Sequence, residues 1–180
     1  MSTYISGGCK NGTSFYAQRI AKAGGAPLDY VATMIPADDE DRARGARPRQ
    51  ERAGWGFVTL ECGCDILSCL DNADPAGSFL LDSVTALLSN EMFRASDGGF
   101  GFNPDAPRRI ADARAEFVGR APNTVLVSDY IFSDAMLYDS MTESYRRGLA
   151  LIDRRMAAAC DNVIEVVNGQ CVVHKGVLPI

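Results

Sequence analysis

Residues 7–14 read Gly7-Gly8-Cys9-Lys10-Asn11-Gly12-Thr13-Ser14, between a short strand candidate, Thr3-Tyr4-Ile5-Ser6, and a helix candidate from Thr13 to Ala23. In that helix Phe15, Ala17, Ile20 and Ala21 recur at helical spacing, while Gln18, Arg19 and Lys22 face outward. A glycine-rich turn from strand to helix lets backbone amides point inward at the positive end of a helix, which is how phosphate is held. The spacing fits the G-x4-G-K-[S/T] phosphate loop at every position but one. Thr13 stands where the lysine belongs, and Ser14 keeps the hydroxyl that would touch Mg2+. The alternative is a glycine turn with no ligand. The place of the turn, between the first strand and first helix of an α/β chain, favours the phosphate loop. Lys10, on the loop arch, is a candidate displaced cation.

Outward from this segment, apolar runs alternate with helical stretches. Gly24-Gly25 ends the first helix, and Leu28–Ala32 reads as a second strand. Asp38-Asp39-Glu40 opens an acidic-first helix carrying Arg42, Arg44, Arg47, Arg49 and Arg52, which Gly45 and Pro48 interrupt. Phe57–Leu60 and Ser78–Asp82 are strands three and four, with a helix from about Val84 to Arg94. Gly, Asp and Pro make Ala95–Pro107 a loop, and Arg108–Gly119 is a rather polar helix. Thr124–Ser128, with Val125, Leu126 and Val127 in a row, is the kind of strand that sits centrally with both faces covered. Thr142–Ala159 is the longest helix candidate, and Val163–Val167, Asn168-Gly169 and Cys171–His174 form a hairpin. The pattern predicts an α/β fold: a P-loop NTPase-like, mostly parallel sheet with helices on both faces and a C-terminal antiparallel hairpin. With 180 residues and no linker, a single nucleotide-binding domain over residues 1–180 is expected.

Composition narrows the function classes. A net charge of −5 disfavours nucleic acid and anionic lipid as partners. No apolar run approaches the roughly 18 residues needed to span a bilayer. Residues 1–8 show no basic segment followed by an apolar one, so a cytoplasmic location is expected. Reduced thiols follow from that for the six cysteines. Cys62, Cys64 and Cys69 form a C-x-C-x4-C cluster, which lacks the usual C-x2-C pair and fourth ligand of zinc sites; thiols around a short helix are the favoured reading over metal. The single histidine, His174, excludes schemes needing two and reads as a structural residue of the hairpin. Asp82 closes the Phe79-Leu80-Leu81 run, where a P-loop protein holds Mg2+; a helix N-cap is the alternative.

These residues together resemble the bifunctional adenosylcobinamide kinase / adenosylcobinamide-phosphate guanylyltransferase family. The resemblance runs from Ile5-Ser6-Gly7-Gly8 through Ser14, Tyr30-Val31-Ala32-Thr33, Asp38-Asp39-Glu40 with Arg44, Arg52, Trp55 and Thr59-Leu60-Glu61. It continues with Leu80–Thr85, Val125–Ser128, Arg146-Arg147-Gly148, Arg155-Met156-Ala157 and the strand from Asp161 to Val167. It implies a P-loop fold, usually a homotrimer, that phosphorylates the aminopropanol hydroxyl of a corrinoid, adenosylcobinamide. The family then transfers GMP from GTP to that phosphate through a guanylylated histidine. Carried over by position, Gly7 to Ser14 bind phosphate, and Ala32, Thr33, Met34, Arg49, Gln50 and Glu51 lie along the nucleotide. Glu61 and Asp82 are the acidic site residues, Asp82 in place of the usual glutamate, and GTP or ATP binds with Mg2+ on Ser14 and Asp82.

Two departures bear on chemistry. The family histidine lies in an R-[hydrophobic]-x-x-H-x-x-x-R frame; Arg44 and Arg52 fit its ends, so its position falls on Pro48, next to Arg47. Proline has no nucleophile and arginine stays protonated. Thr13 removes the charge that tracks the β- and γ-phosphates. Lys10, or an arginine from the stretch Arg42–Arg52 or from a neighbouring subunit, would have to supply it; a solvated helix face is the simpler role for that stretch. With the family nucleophile absent, no covalent GMP adduct is expected after incubation with labelled GTP and Mg2+. Intact-protein mass spectrometry beside a histidine-bearing relative checks this, and a GMP-sized mass increase on any side chain would refute it.

Overall fold

The computed structural model describes residues 1–36, 54–95, 99–132 and 134–180. In chain order the elements are β1 (Thr3–Gly7), α1 (Thr13–Ala23), β2 (Leu28–Ala32), β3 (Phe57–Glu61), a 3-10 helix (Ile66–Asn72), β4 (Ser78–Asp82) and α2 (Val84–Phe93). They continue with α3 (Ala106–Arg120), β5 (Thr124–Asp129), α4 (Ser140–Ala159), β6 (Asn162–Val167) and β7 (Gln170–Lys175). The strands make one sheet in the order β3-β2-β4-β5-β1-β6-β7. All pairings are parallel except β6 with β7, which is antiparallel. The α/β sheet with its terminal hairpin therefore stands as expected. The helix opened by Asp38-Asp39-Glu40, with Arg42 to Arg52, lies outside the described residues.

Strand alternation explains why both faces are covered. Ile5, Tyr30, Leu80, Val125, Val127 and Ile164 point to the face closed by Ala17, Ile20 and Ala21 of α1. Tyr4, Val31, Phe79, Leu81 and Leu126 point to the other face, closed by α2, α3, α4 and the 3-10 helix. The apolar run of β5 puts it in the middle of the seven strands, where each fully buried Val or Leu contributes roughly 1.5–3 kcal/mol. Because five neighbouring strands are mutually parallel with β6, their carboxyl ends share one edge of the sheet, and the loop after β1 opens on that edge.

Helix α3 departs from the sequence pattern in two respects. Helix α3 begins at Ala106, inside the stretch read as a loop, because Pro107 is tolerated in a first helical turn, where a backbone N–H has no partner to lose. The same helix, read as polar, sets Ile110, Arg114 and Phe117 on one buried stripe. Arg114 is 0% exposed, and its three guanidinium nitrogens have no hydrogen-bond partner among the described residues. Burial lowers its pKa to about 10, and Asp153 of α4 is the charge that most opposes this. Asp153 accepts a hydrogen bond from the Ser128 hydroxyl at 2.9 Å. Burial nevertheless pushes its carboxyl up to about 6.

A folded-state carboxyl pKa above the unfolded 3.8 stabilises the fold at low pH, and this contribution is lost as pH rises through 6. Asp153→Asn is therefore expected to gain about 2 kcal/mol on the wild type between pH 4.5 and pH 7.5. Urea unfolding at the two pH values reads the difference, and parallel curves would refute it.

Candidate functional site

β1 ends at Gly7 and α1 begins at Thr13, so the loop of residues 8–12 has five residues in which to reverse direction. It does so through a turn in which the Asn11 N–H donates to the Gly8 carbonyl at 3.2 Å. Lys10 (φ 61°) and Gly12 (φ 93°) both adopt the left-handed region, and glycine takes that conformation without strain. Gly7 faces a tighter limit: a Cβ there would lie 2.3 Å from Thr13 Oγ1 and 3.0 Å from the Val166 carbonyl oxygen.

Thr13 is 5% exposed, and its hydroxyl has no hydrogen-bond partner among the described residues. The side chain at the expected lysine position thus tucks against Gly7 of β1 at the base of the loop. Lys10 is exposed on the arch, as are Cys9 and Ser14, whereas Gly8 and Asn11 are half-buried. The exposed Ser14 hydroxyl donates to Asp82 Oδ2 at 3.3 Å, which brings the loop and the end of β4 together. The Tyr30 hydroxyl from β2 donates to the same oxygen at 2.7 Å.

A second carboxylate belongs to this edge. Asp129, the last residue of β5, is in register with Gly7. Its N–H donates to Thr85 Oγ1 at 3.1 Å, and the Thr85 hydroxyl donates back to its Oδ2 at 3.4 Å. Burial first, and the nearby charge of Asp82 second, raise the Asp129 pKa. The sequence carried a signal for it: an aspartate closing an apolar strand, as Asp82 does. Tyr30 sits inside an apolar strand with no such signal.

The remaining sequence candidates occupy the same edge further out. Ala32 is in register with both Asp82 and Glu61, which puts Glu61 two strand spacings, roughly 10 Å, from Asp82. Thr33 is buried, and its hydroxyl accepts from the Ser83 N–H at 2.7 Å and donates to the Ser83 carbonyl at 2.8 Å. The Thr33 carbonyl accepts from Asn90 Nδ2 at 2.7 Å. Thr33 thereby fixes the chain just after Asp82. Met34 is 66% exposed. Arg47, Pro48, Arg49, Gln50 and Glu51 lie outside the described residues.

Asn90 Nδ2 also donates to the Gly63 carbonyl at 2.8 Å, joining the cysteine cluster to this edge. Beyond Asn90 is a cleft of about 760 Å³ lined in part by Cys64, Asp65, Glu91, Arg94 and Arg109. All six cysteines are free thiols, and Cys62 donates to the Cys64 carbonyl at 3.3 Å. Among the described residues no group of three His, Cys, Asp or Glu side chains is arranged to hold a metal ion. Nor, among them, is any helix long and apolar enough to cross a membrane.

Residues 3–173 match the family model described as cobinamide kinase / cobinamide phosphate guanyltransferase. The bifunctional adenosylcobalamin biosynthesis protein CobP of Pseudomonas aeruginosa is 28% identical over 182 residues, covering 98% of each chain. The bifunctional adenosylcobalamin biosynthesis protein CobU of Salmonella typhimurium is 29% identical over 180 residues, covering 94% of this chain and 97% of its own.

The packing at Gly7 gives a coupled expectation. Gly7→Ala should destabilise the protein by about 1–3 kcal/mol. Thr13→Ala alone should be nearly neutral, because the hydroxyl it removes is buried without a partner. The double variant should recover part of the Gly7→Ala loss, since Thr13 Oγ1 is the closer of the two obstacles. Denaturant unfolding of all four proteins measures this, and strict additivity would refute the geometry.

Proposed function

This chain belongs to the cobinamide kinase / cobinamide phosphate guanyltransferase family, and we propose that it binds GTP or ATP at residues 7–14 for a transfer to a corrinoid alcohol or corrinoid phosphate. The observation that carries this reading is the convergence of the glycine loop, the α1 N-terminus, Ser14 and Asp82 on one sheet edge. Amides of residues 8–14 would hold phosphate oxygens, with the α1 dipole adding positive potential. Ala32, Thr33, Met34, Glu61, Arg49, Gln50 and Glu51 are proposed to lie along the nucleotide. A homotrimer and a cytoplasmic location belong to the same reading.

The donor set suits Mg2+. Ser14 and Asp82 offer a hydroxyl and a carboxylate within 3.3 Å of each other, hard oxygen ligands of the kind that ion takes alongside phosphate. Bound there, the ion would neutralise charge on the β- and γ-phosphates. Tyr30 orients the Asp82 carboxylate, and Thr33 holds the chain behind it.

Thr13 supplies no charge to the phosphates, and losing one preorganised electrostatic group lowers rate on the order of 10²–10³-fold. With Pro48 at the family histidine position, that is the specific ground for a second reading. In it the protein is a catalytically impaired paralogue that binds nucleotide or corrinoid and regulates or scaffolds.

Two assays separate the readings. GTP or ATP with Mg2+ at about 100 times the dissociation constant should raise stability by roughly 2.7 kcal/mol, read as a thermal shift. No shift with either nucleotide would remove the nucleotide-binding reading. Product formation from cobinamide or cobinamide phosphate supports the enzyme; binding without product supports the impaired paralogue.

A further inference from the structure

Tyr130, the residue after β5, is attached to the start of the phosphate loop: its backbone N–H donates to the Gly7 carbonyl at 3.1 Å. Its hydroxyl donates to Glu165 Oε1 on β6. Glu165 is in register with Ser6 of β1, and β1 lies between β5 and β6. The Tyr130 side chain therefore reaches across the carboxyl end of the loop-bearing strand, from one flanking strand to the other. The second oxygen of Glu165 is 2.7 Å from Nε2 of His174 on β7. One polar chain thus runs across four adjacent strands at the foot of the loop.

This chain is not needed to close the core, since the His174 side chain is 52% exposed and that of Glu165 27%. Its electrostatics agree with the geometry. Burial, then Glu165, pushes the Tyr130 phenol up to about 12. The Tyr130 hydroxyl first, and His174 second, hold the Glu165 carboxyl below its ordinary range. On its other side Tyr130 adjoins Asp129, which Thr85 anchors to α2.

We propose that Glu165 is a positioning residue for the phosphate loop: through Tyr130 it fixes the Gly7 carbonyl and Asp129, and through His174 it ties both to the C-terminal hairpin. The proposal rests on the reading of residues 7–14 as a nucleotide site. It gives the single histidine a role as a brace. Glu165 touches no substrate; it acts by limiting how far the loop's first residue and the second carboxylate can move apart.

The test uses Tyr130→Phe, Glu165→Val and His174→Gln in the full chain, with Lys175→Met as control. Lys175 Nζ ties the same hairpin elsewhere, to the Ala158 and Cys160 carbonyls at 3.0 and 2.6 Å. Amide hydrogen exchange in the nucleotide-free protein should quicken about tenfold at Tyr130 and in residues 8–12 for Tyr130→Phe and Glu165→Val, less for His174→Gln, and not for Lys175→Met. GTP or ATP dissociation constants for the first two should rise roughly three- to tenfold while the thermal midpoint of the free protein holds. Unchanged exchange in both, or an equal change in Lys175→Met, overturns the proposal, the latter because it marks a general role of the hairpin. Quickened exchange with unchanged nucleotide affinity also overturns it. If the wild type binds neither nucleotide, the nucleotide reading falls, and exchange alone decides whether the brace exists.

Discussion

Helix α1 starts so close to β1 and β6 that Gly7 has no room for a side chain. A Cβ there would meet both Thr13 Oγ1 and the Val166 carbonyl. That close approach fixes where the loop leaves β1 and where α1 begins. It also brings Ser14 within reach of Asp82. The parallel pairing of β1 with β5 and β6 supplies the other half of the constraint, because it places Asp129 and Val166 opposite the same residue.

The electrostatics of the edge follow from what stands there. Asp82 and Asp129 put two carboxylates at the foot of the loop, and burial first, then the charge of Asp82, raises the cost of ionising Asp129. A lysine at position 13 would have balanced them. Thr13 instead fills the base of the loop with a neutral hydroxyl that has no partner among the described residues. Among the described residues, positive potential at this edge comes from the α1 dipole, backbone amides and the exposed Lys10.

Behind the sheet, Arg114 and Asp153 show how far the fold tolerates charge in its interior. Their burial opposes ionisation of both, and Ser128 is a direct link between Asp153 and the strand that ends at the site. Ser128 is adjacent in sequence to Asp129, so the Asp153 carboxyl and the carboxylate edge are linked through one strand.

Much of this was legible in the residues. The strand and helix alternation, the central place of Val125-Leu126-Val127, the Asn-Gly hairpin and the glycine loop all rest on local rules: side-chain period, turn chemistry and helix termini. Asp82 was legible for the same reason, as an acid closing an apolar strand. What the sequence could not order was the sheet, because strands distant along the chain become neighbours only through crossovers. Hence Tyr30 beside Asp82, Asp129 opposite Gly7, and Tyr130 bridging to Glu165 and His174 were decided by tertiary structure. Arg114 is the sharpest case: in the sequence it is one more charge on a polar helix. Only the packing of α3, which turns the Ile110–Phe117 stripe inward, makes it a buried guanidinium.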